Sequence, residues 1–104
     1  MSLSEEQKKQ LIEKFKSELE QADWNALKAH HERGALFLVA GDLDLYEVAC
    51  SIALDDVDSV KAWIESEKLI QPGEDEVKTW EADEYRKLGS FLILQPYVIL
   101  QLGL

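Results

Sequence analysis

Cysteine is nearly absent from this sequence, and its scarcity limits both the compartment and the chemistry. Cys50 is the only cysteine among 104 residues, so no disulfide can form within the chain. Such a composition is typical of proteins from reducing compartments. The N-terminus lacks the basic and then apolar layout of a secretion signal, and the apolar tail from Phe91 to Leu104 is too short for a membrane-spanning helix. We therefore expect a cytoplasmic protein without a membrane segment, and we draw nothing from the first three residues.

Basic residues are also scarce. The chain has 11 Lys and Arg against 21 Asp and Glu, which gives a formal net charge of −10. Residues 55–87 alone carry eleven acids and five bases, a net charge of −6, whereas residues 88–104 carry no charged side chain. A negative field keeps a protein in solution, repels phosphate backbones and suits basic partners. Nucleic acid is therefore a disfavoured partner; a basic protein would suit this field, but acidity is also a common way of keeping a protein in solution, and that plain interpretation is preferred.

Motifs that carry chemistry are missing as well. The sequence has no Gly-rich phosphate loop, no Gly-x-Ser-x-Gly elbow and no Cys-x-x-Cys or His-x-x-x-His pair. His30 and His31 are adjacent, so on a helix they point about a quarter-turn apart and do not share a chelating face. We expect one of them on the surface, the other partly packed, and Cys50 buried in the core. No catalytic residue, metal ligand or cofactor is predicted, although a small enzyme or metal protein built on these three residues stays an alternative.

Apolar periodicity and capping residues predict five helices, over about 4–22, 24–32, 45–54, 57–67 and 74–87. In the fourth helix the apolar positions recur at helical spacing and are expected to face the core: Val57, Val60, Trp63 and Ile64. The expected caps are Ser4 with Gln7, Asp23, Asp44 with Glu47, and either Asp55 or Asp56. Gly34 is expected to end the second helix, because glycine adopts a left-handed conformation at little cost.

Three apolar stretches predict strands, over 35–40, 68–71 and 91–101. Pro96 interrupts the last stretch and implies an edge, a bulge or a bend, because proline cannot donate to a ladder. This stretch must be covered by its own chain or by a second copy, and in the second case the protein is a homodimer. The fold class is therefore α+β, a single small domain over 1–104 with four to five helices and a sheet of about three strands.

The order of elements after Asp23 is also that of a winged helix-turn-helix. The helices after Asp44 and Asp56 would form its two-helix unit, and residues 68–71 with 91–94 its wing. A nucleic-acid-binding winged helix is therefore a second hypothesis. The solvent side of its reading helix would carry Asp58 and Glu65, however, and these acids penalise phosphate contact.

A non-enzymatic interaction module is the main hypothesis, and two surfaces are candidates for its partner. The first is the solvent side of the second helix pair: Glu47, Ser51, Asp55, Asp58, Ser59, Ala62 and Glu65. The second is the acidic segment from Glu74 to Lys87. Each position on these two surfaces also has a plain interpretation as part of a solvated helix face.

An ordered set of short stretches is spread over most of the chain from Leu11 to Gln101: Trp24 with Leu27, Arg33-Gly34-Ala35-Leu36, Leu43-Asp44-Leu45 followed by Glu47-Val48-Ala49, Asp55-Asp56 with Val60 and Trp63-Ile64, and Gln95-Pro96-Tyr97-Val98. Taken together, this set resembles a bacterial family known as a domain of unknown function, DUF2288. The resemblance implies a stand-alone bacterial cytoplasmic protein, and it implies no activity and no catalytic residues.

Overall fold

Five helices and five strands form over residues 5–103, the part of the chain that the computed structural model describes. The α+β class is confirmed, and the sheet has five strands rather than about three. The helices are α1 Glu5–Glu18, α2 Trp24–Glu32, α3 Leu45–Ala53, α4 Val57–Glu65 and α5 Glu74–Glu81. The strands are β1 Glu20–Asp23, β2 Leu36–Val39, β3 Leu69–Ile70, β4 Lys87–Leu94 and β5 Tyr97–Leu102.

Aspartates begin three of the helices, as predicted. Side chains of Asp23, Asp44 and Asp56 accept hydrogen bonds from backbone N–H groups two or three residues ahead, at 2.9, 2.9 and 3.2 Å. These bonds satisfy donors that the first helical turn leaves without a partner. At the end of α2, Gly34 has a φ of 72°, which confirms the predicted stop. The capping box expected at Ser4 lies outside the described residues.

Two predicted helices are too long. The helix expected to reach Ala22 ends at Glu18, because Glu20–Asp23 pairs with β4 instead. The side chain of Ala22 is thereby buried at the sheet. The helix expected to reach Lys87 ends at Glu81, and Lys87 already belongs to β4. In both places strand pairing with a distant segment overrides local helical preference.

The apolar C-terminal stretch forms a hairpin rather than the single strand that we predicted. Strands β4 and β5 pair antiparallel, with Leu94 opposite Tyr97. Gln95 and Pro96 lie in the turn between them, joined by a cis peptide bond. A turn tolerates proline because no ladder hydrogen bond is lost there, so the predicted bend at Pro96 is confirmed.

The strand order is β1-β4-β5-β2-β3, with β2 and β5 parallel and the other neighbours antiparallel. The C-terminal strand β5 is therefore interior, and both of its edges are paired within the chain. Of the two coverings that the sequence left open, the structure shows the one by the chain itself. A homodimer built by pairing this strand is not available, whereas self-association by another route stays a prediction. The predicted winged-helix wing, in which residues 68–71 pair with 91–94, is wrong, because β3 pairs with β2 and not with β4.

Side chains alternate across this sheet into two cores. One face packs against α1 and α3, with Phe15, Val48 and Ile99 among its buried residues. The opposite face packs against α2 and α5, where Trp24 and Trp80 are buried. The middle of strand β5 shows the alternation directly: Val98 and Leu100 point into one core and Ile99 into the other, and all three are nearly inaccessible to solvent. The sheet is thus covered on both sides by helices, as is usual for strands that are apolar on both faces.

Candidate functional site

Helix α4 does not bury the stripe that its sequence predicts. No residue of α4 is fully buried; Val57 is 67% exposed and Ile64 is 49% exposed. Val60 and Trp63 are half-buried. The prediction that all four face the core is therefore wrong for Val57 and Ile64. The physical reason is the position of α4, which packs on α3 and on β3, the two-residue strand at the edge of the sheet.

An open groove of about 390 Å³ lies between α4 and the sheet, and we call it the α4 groove. The sheet contributes Phe37, Leu69 and Tyr97 to its lining. The rings of Phe37 and Tyr97 meet edge to face, with centroids 5.9 Å apart, although Tyr97 stays 44% exposed. This geometry is a favourable arrangement for an aromatic pair, so the pair holds its shape while offering apolar surface to solvent.

Helix α4 and the end of α3 provide the rest of the lining. The apolar residues of α4 that line the groove are Val57, Val60 and Ile64, which lie three and four residues apart on one helical face. Ile52 adds the last turn of α3. The polar residues sit among exposed or half-buried positions: Ser51, Asp55, Asp56 and Lys61.

Negative charge is fixed at the start of α4. The hydroxyl of Ser59 donates to Asp56 at 2.7 Å and its backbone N–H donates to the same carboxylate, and these bonds lower the pKa of Asp56. Asp55 precedes it with a φ of 54°, in the left-handed region that aspartate tolerates better than most residues. From 55 to 67 the chain carries five acids and the single base Lys61, a net charge of −4. The apolar groove is therefore flanked by acid.

The structure divides the candidate surface that the sequence predicted. Ser51 and Asp55 line the α4 groove. Asp58, Ala62 and Glu65 are exposed on α4 without lining the groove. These positions therefore flank the groove rather than form it.

The two other predicted surface residues are engaged inside the chain. The carboxylate of Glu47 accepts from Lys8 Nζ at 2.9 Å, which ties α3 to α1 and raises the pKa of Lys8. Glu47 thus does not return a bond to the start of its own helix, as the expected pairing with Asp44 required. Ser59 is half-buried and its hydroxyl donates to Asp56.

Sequence reasoning missed the residues that the sheet brings to the groove. Phe37 and Tyr97 are 60 positions apart in the chain, and they meet because β2 and β5 run parallel with Leu36 opposite Val98. Nothing local in either segment indicates this pairing. The only local signal was the apolar spacing of α4, which we assigned to the core.

The second candidate surface, from Glu74 to Lys87, is not one helix face. It comprises α5, a turn and the first residue of β4. Part of its charge is matched, since Lys28 Nζ lies 3.3 Å from Glu84 and Lys87 Nζ lies 3.9 Å from Asp23. The segment therefore combines a buried anchor, Trp80, with a largely solvated acidic exterior.

Cys50 and the two histidines lie on opposite sides of the sheet. Cys50 belongs to α3 and is buried in the core that α1 and α3 form with the sheet, and its burial raises the pKa of the thiol. His31 packs against Trp24 on the other side, with ring centroids 5.5 Å apart. His30 is also half-buried rather than on the surface, and its Nδ1 contacts the Arg33 guanidinium. A catalytic pair of Cys50 with either histidine is therefore not formed.

Within residues 5–103, no group of three or more His, Cys, Asp or Glu side chains is placed to hold a metal ion. No helix in the same range has both the length and the apolar character that crossing a bilayer requires. Among these residues the α4 groove remains the best-formed candidate for binding.

Comparison with known proteins places the chain among its relatives. A family model described as "Protein of unknown function (DUF2288)" matches residues 10–102. The solution NMR structure of PA1075 from Pseudomonas aeruginosa is 34% identical, covers 100% of this chain and 94% of its own, and superposes with a TM-score of 0.73. A search of curated proteins finds no match. The resemblance inferred from the sequence is confirmed, and the chain belongs to the DUF2288 family of proteins of unknown function.

Proposed function

We propose that this protein is a non-enzymatic interaction module that binds a segment of another protein in the α4 groove. The observation that carries the proposal is the exposure of three apolar residues on one concave surface. Val57 is 67%, Ile64 49% and Tyr97 44% exposed, and all three line the same groove. Single exposed apolar residues are normal on a protein surface, whereas three that line one groove with polar groups at its rim form a surface that a partner's apolar side chains can cover.

A protein segment suits the groove better than a small molecule does. A volume of about 390 Å³ is within the size of small-molecule sites. Such sites, however, usually orient their ligand with a few polar groups set within the apolar lining. Here Asp55, Asp56 and Lys61 are exposed, and Ser51 is a single half-buried hydroxyl of the lining. A peptide that inserts apolar side chains and keeps its own polar groups at the rim does not require buried polar groups of the protein to orient it.

Nucleic acid is a poor candidate for this surface. The net charge of −4 over residues 55–67 opposes phosphate, whereas protein contacts to nucleic acid depend on neutralising phosphate with Lys and Arg. The winged-helix hypothesis also required a wing, which the observed pairing of β3 with β2 does not provide.

The test is selection from a library of random peptides of about 16 residues displayed on phage, with this protein as the immobilised target. Selected peptides are then measured against two tyrosine variants matched in chemistry. Tyr97→Ser alters the groove, while Tyr85→Ser removes a tyrosine that is 72% exposed outside it. We expect binding to be lost with Tyr97→Ser and with Val57→Glu, and kept with Tyr85→Ser. A selection without enriched peptides, or peptides that bind all variants equally, would contradict the proposal.

A further inference from the structure

We infer that the occupant of the α4 groove is a basic amphipathic helix. This inference rests on the proposed function, because it specifies the partner of the same groove. It combines two independent features of the site, the spacing of its apolar wall and the uncompensated acid beside it.

The apolar wall has the spacing of a helix surface. Val57, Val60 and Ile64 follow one another at i, i+3 and i+7 along α4, which spans about 10 Å at the usual rise per residue. A second helix laid beside α4 presents apolar side chains at the same spacing, so its anchors fit into one row of contacts. The first and last of these positions are also the exposed large apolar residues of α4.

Strand addition does not serve the same site. Phe37 and Tyr97 line the groove from strands that lie inside the sheet. Leu69, the other sheet residue of the lining, belongs to the edge strand β3, which has only two residues and so offers little edge for pairing. Binding by strand addition requires an exposed sheet edge with free backbone groups. The sheet side of the groove therefore offers side chains to its partner, which a helix can use.

The acids beside the groove outnumber the bases there, since Lys61 is the single base among five acids in residues 55–67. Of the ion pairs formed within residues 5–103, none includes an acid from 55–67. The nearest base in sequence after this segment, Lys68, is bound to Asp42 at 2.7 Å. Asp58 and Glu65 remain exposed on α4, one near each end of the groove wall. A partner with Lys or Arg beside its apolar face would meet this charge along one side of α4, at two points about two helical turns apart.

A second copy of this chain is a less suitable occupant. Each copy carries a net charge of −10, so the contact would bring two negative surfaces together. The lysine-rich helix α1 does not relieve this repulsion, because its four lysines are balanced by four glutamates. An apolar ligand with a carboxylate, such as a fatty acid, meets a net negative lining, because Asp55 and Asp56 outnumber the single lining base, Lys61.

The test compares three labelled peptides of about 18 residues by fluorescence anisotropy. The first has leucines at i, i+3, i+4 and i+7 and lysines elsewhere, the second replaces its lysines with glutamates, and the third scrambles the first. We expect the lysine peptide to bind at least about tenfold more tightly than either control. Its affinity should fall as NaCl rises from about 50 to about 300 mM, because salt screens exposed charge.

Two double variants separate local charge from net charge. Asp58→Lys with Glu65→Lys reverses the second and the last residue of α4. Asp75→Lys with Glu81→Lys makes the same change at the second and last residues of α5, away from the groove. We expect the α4 variant to lose the preference for the lysine peptide and the α5 variant to retain most of it.

Different failures have different meanings. If the lysine and glutamate peptides bind equally and Val57→Glu abolishes both, the groove is a binding site but the inferred basic partner is wrong. If the scrambled peptide binds as well as the first, or if Val57→Glu leaves binding unchanged, the amphipathic helix is wrong. If no peptide binds, or if sedimentation shows a dimer that Val57→Glu dissociates, the inferred basic helix is also wrong. The phage selection described above then tests independently whether the groove binds any peptide.

Discussion

Removing the same two methyl groups from α3 and from α4 should have very different costs. Val48 is 0% exposed, so Val48→Ala loses about 0.8 kcal/mol for each buried carbon and leaves a cavity, a total of about 2–3 kcal/mol. Val57 is 67% exposed, so Val57→Ala returns little apolar surface to water and should cost no more than about 0.5 kcal/mol. Both positions are helical, so the gain in helix propensity from alanine, a few tenths of a kcal/mol, applies to both.

The assay is urea unfolding of both variants and the wild type, followed by circular dichroism at about 5 and about 200 μM protein. Equal m values would show that the midpoints report stability alone. A cost of about 2 kcal/mol or more for Val57→Ala would refute the reasoning, because it would mean that Val57 is covered in solution. If that cost arose only at the higher concentration, the cover would be a second copy of the chain.

Three further predictions concern the packing of the sheet, a helix cap and the buried thiol. Gly89→Ala should cost about 3 kcal/mol or more in urea unfolding, because an added Cβ would overlap the backbone carbonyl of Gln101; a loss below about 1 kcal/mol would contradict this. Asp56→Asn keeps the cap but removes the charge. Hydrogen bonds from Ser59 lower the pKa of Asp56 in the folded protein. The stability that ionised Asp56 adds is therefore present above its unfolded pKa of about 3.9 and is lost as the pH falls through the lower folded pKa. Thermal melts from pH 7 to about 2.5 should therefore show the wild-type advantage over Asp56→Asn shrinking at the acid end, and a constant advantage would argue against it. Cys50 should react with a thiol reagent only as fast as the protein opens, so its rate should rise with urea below the unfolding transition; fast modification of the native protein would contradict its burial.

Local chemistry predicted much of the helical framework. Asp23, Asp44 and Asp56 cap helices where the sequence placed them, and α2 has the predicted bounds. These features depend on hydrogen bonds and backbone preferences within a few residues, so a single sequence contains them. The uniformly apolar stretch at β2 was also recognisable, because a strand buried on both faces requires it.

Sheet pairing could not be predicted in the same way. Glu20–Asp23 has no apolar run, and it becomes a strand because β4 lies beside it. The C-terminal stretch was recognised as apolar and bent at Pro96, but its division into two neighbouring strands depends on pairing across the turn. Such contacts join distant residues, and their energy is absent from any local pattern.

The candidate site shows the same limit from the other direction. The periodicity of Val57 and Ile64 correctly identifies one apolar face of α4, but periodicity does not say whether anything covers that face. Coverage depends on the position of α4 beside the short edge strand β3. Charge in the sequence identified Asp58 and Glu65, which flank the groove, and missed the apolar residues that line it.

The most direct test of the account is a titration of the ¹⁵N-labelled protein with the lysine peptide, followed in ¹H–¹⁵N correlation spectra. The account predicts that the largest shift changes fall on the lining of the α4 groove, at Val57, Lys61, Ile64 and Tyr97, and that α2 and α5 change little. Changes centred on α5, or a saturable interaction that leaves these four residues unperturbed, would contradict the claim that the α4 groove is the binding site.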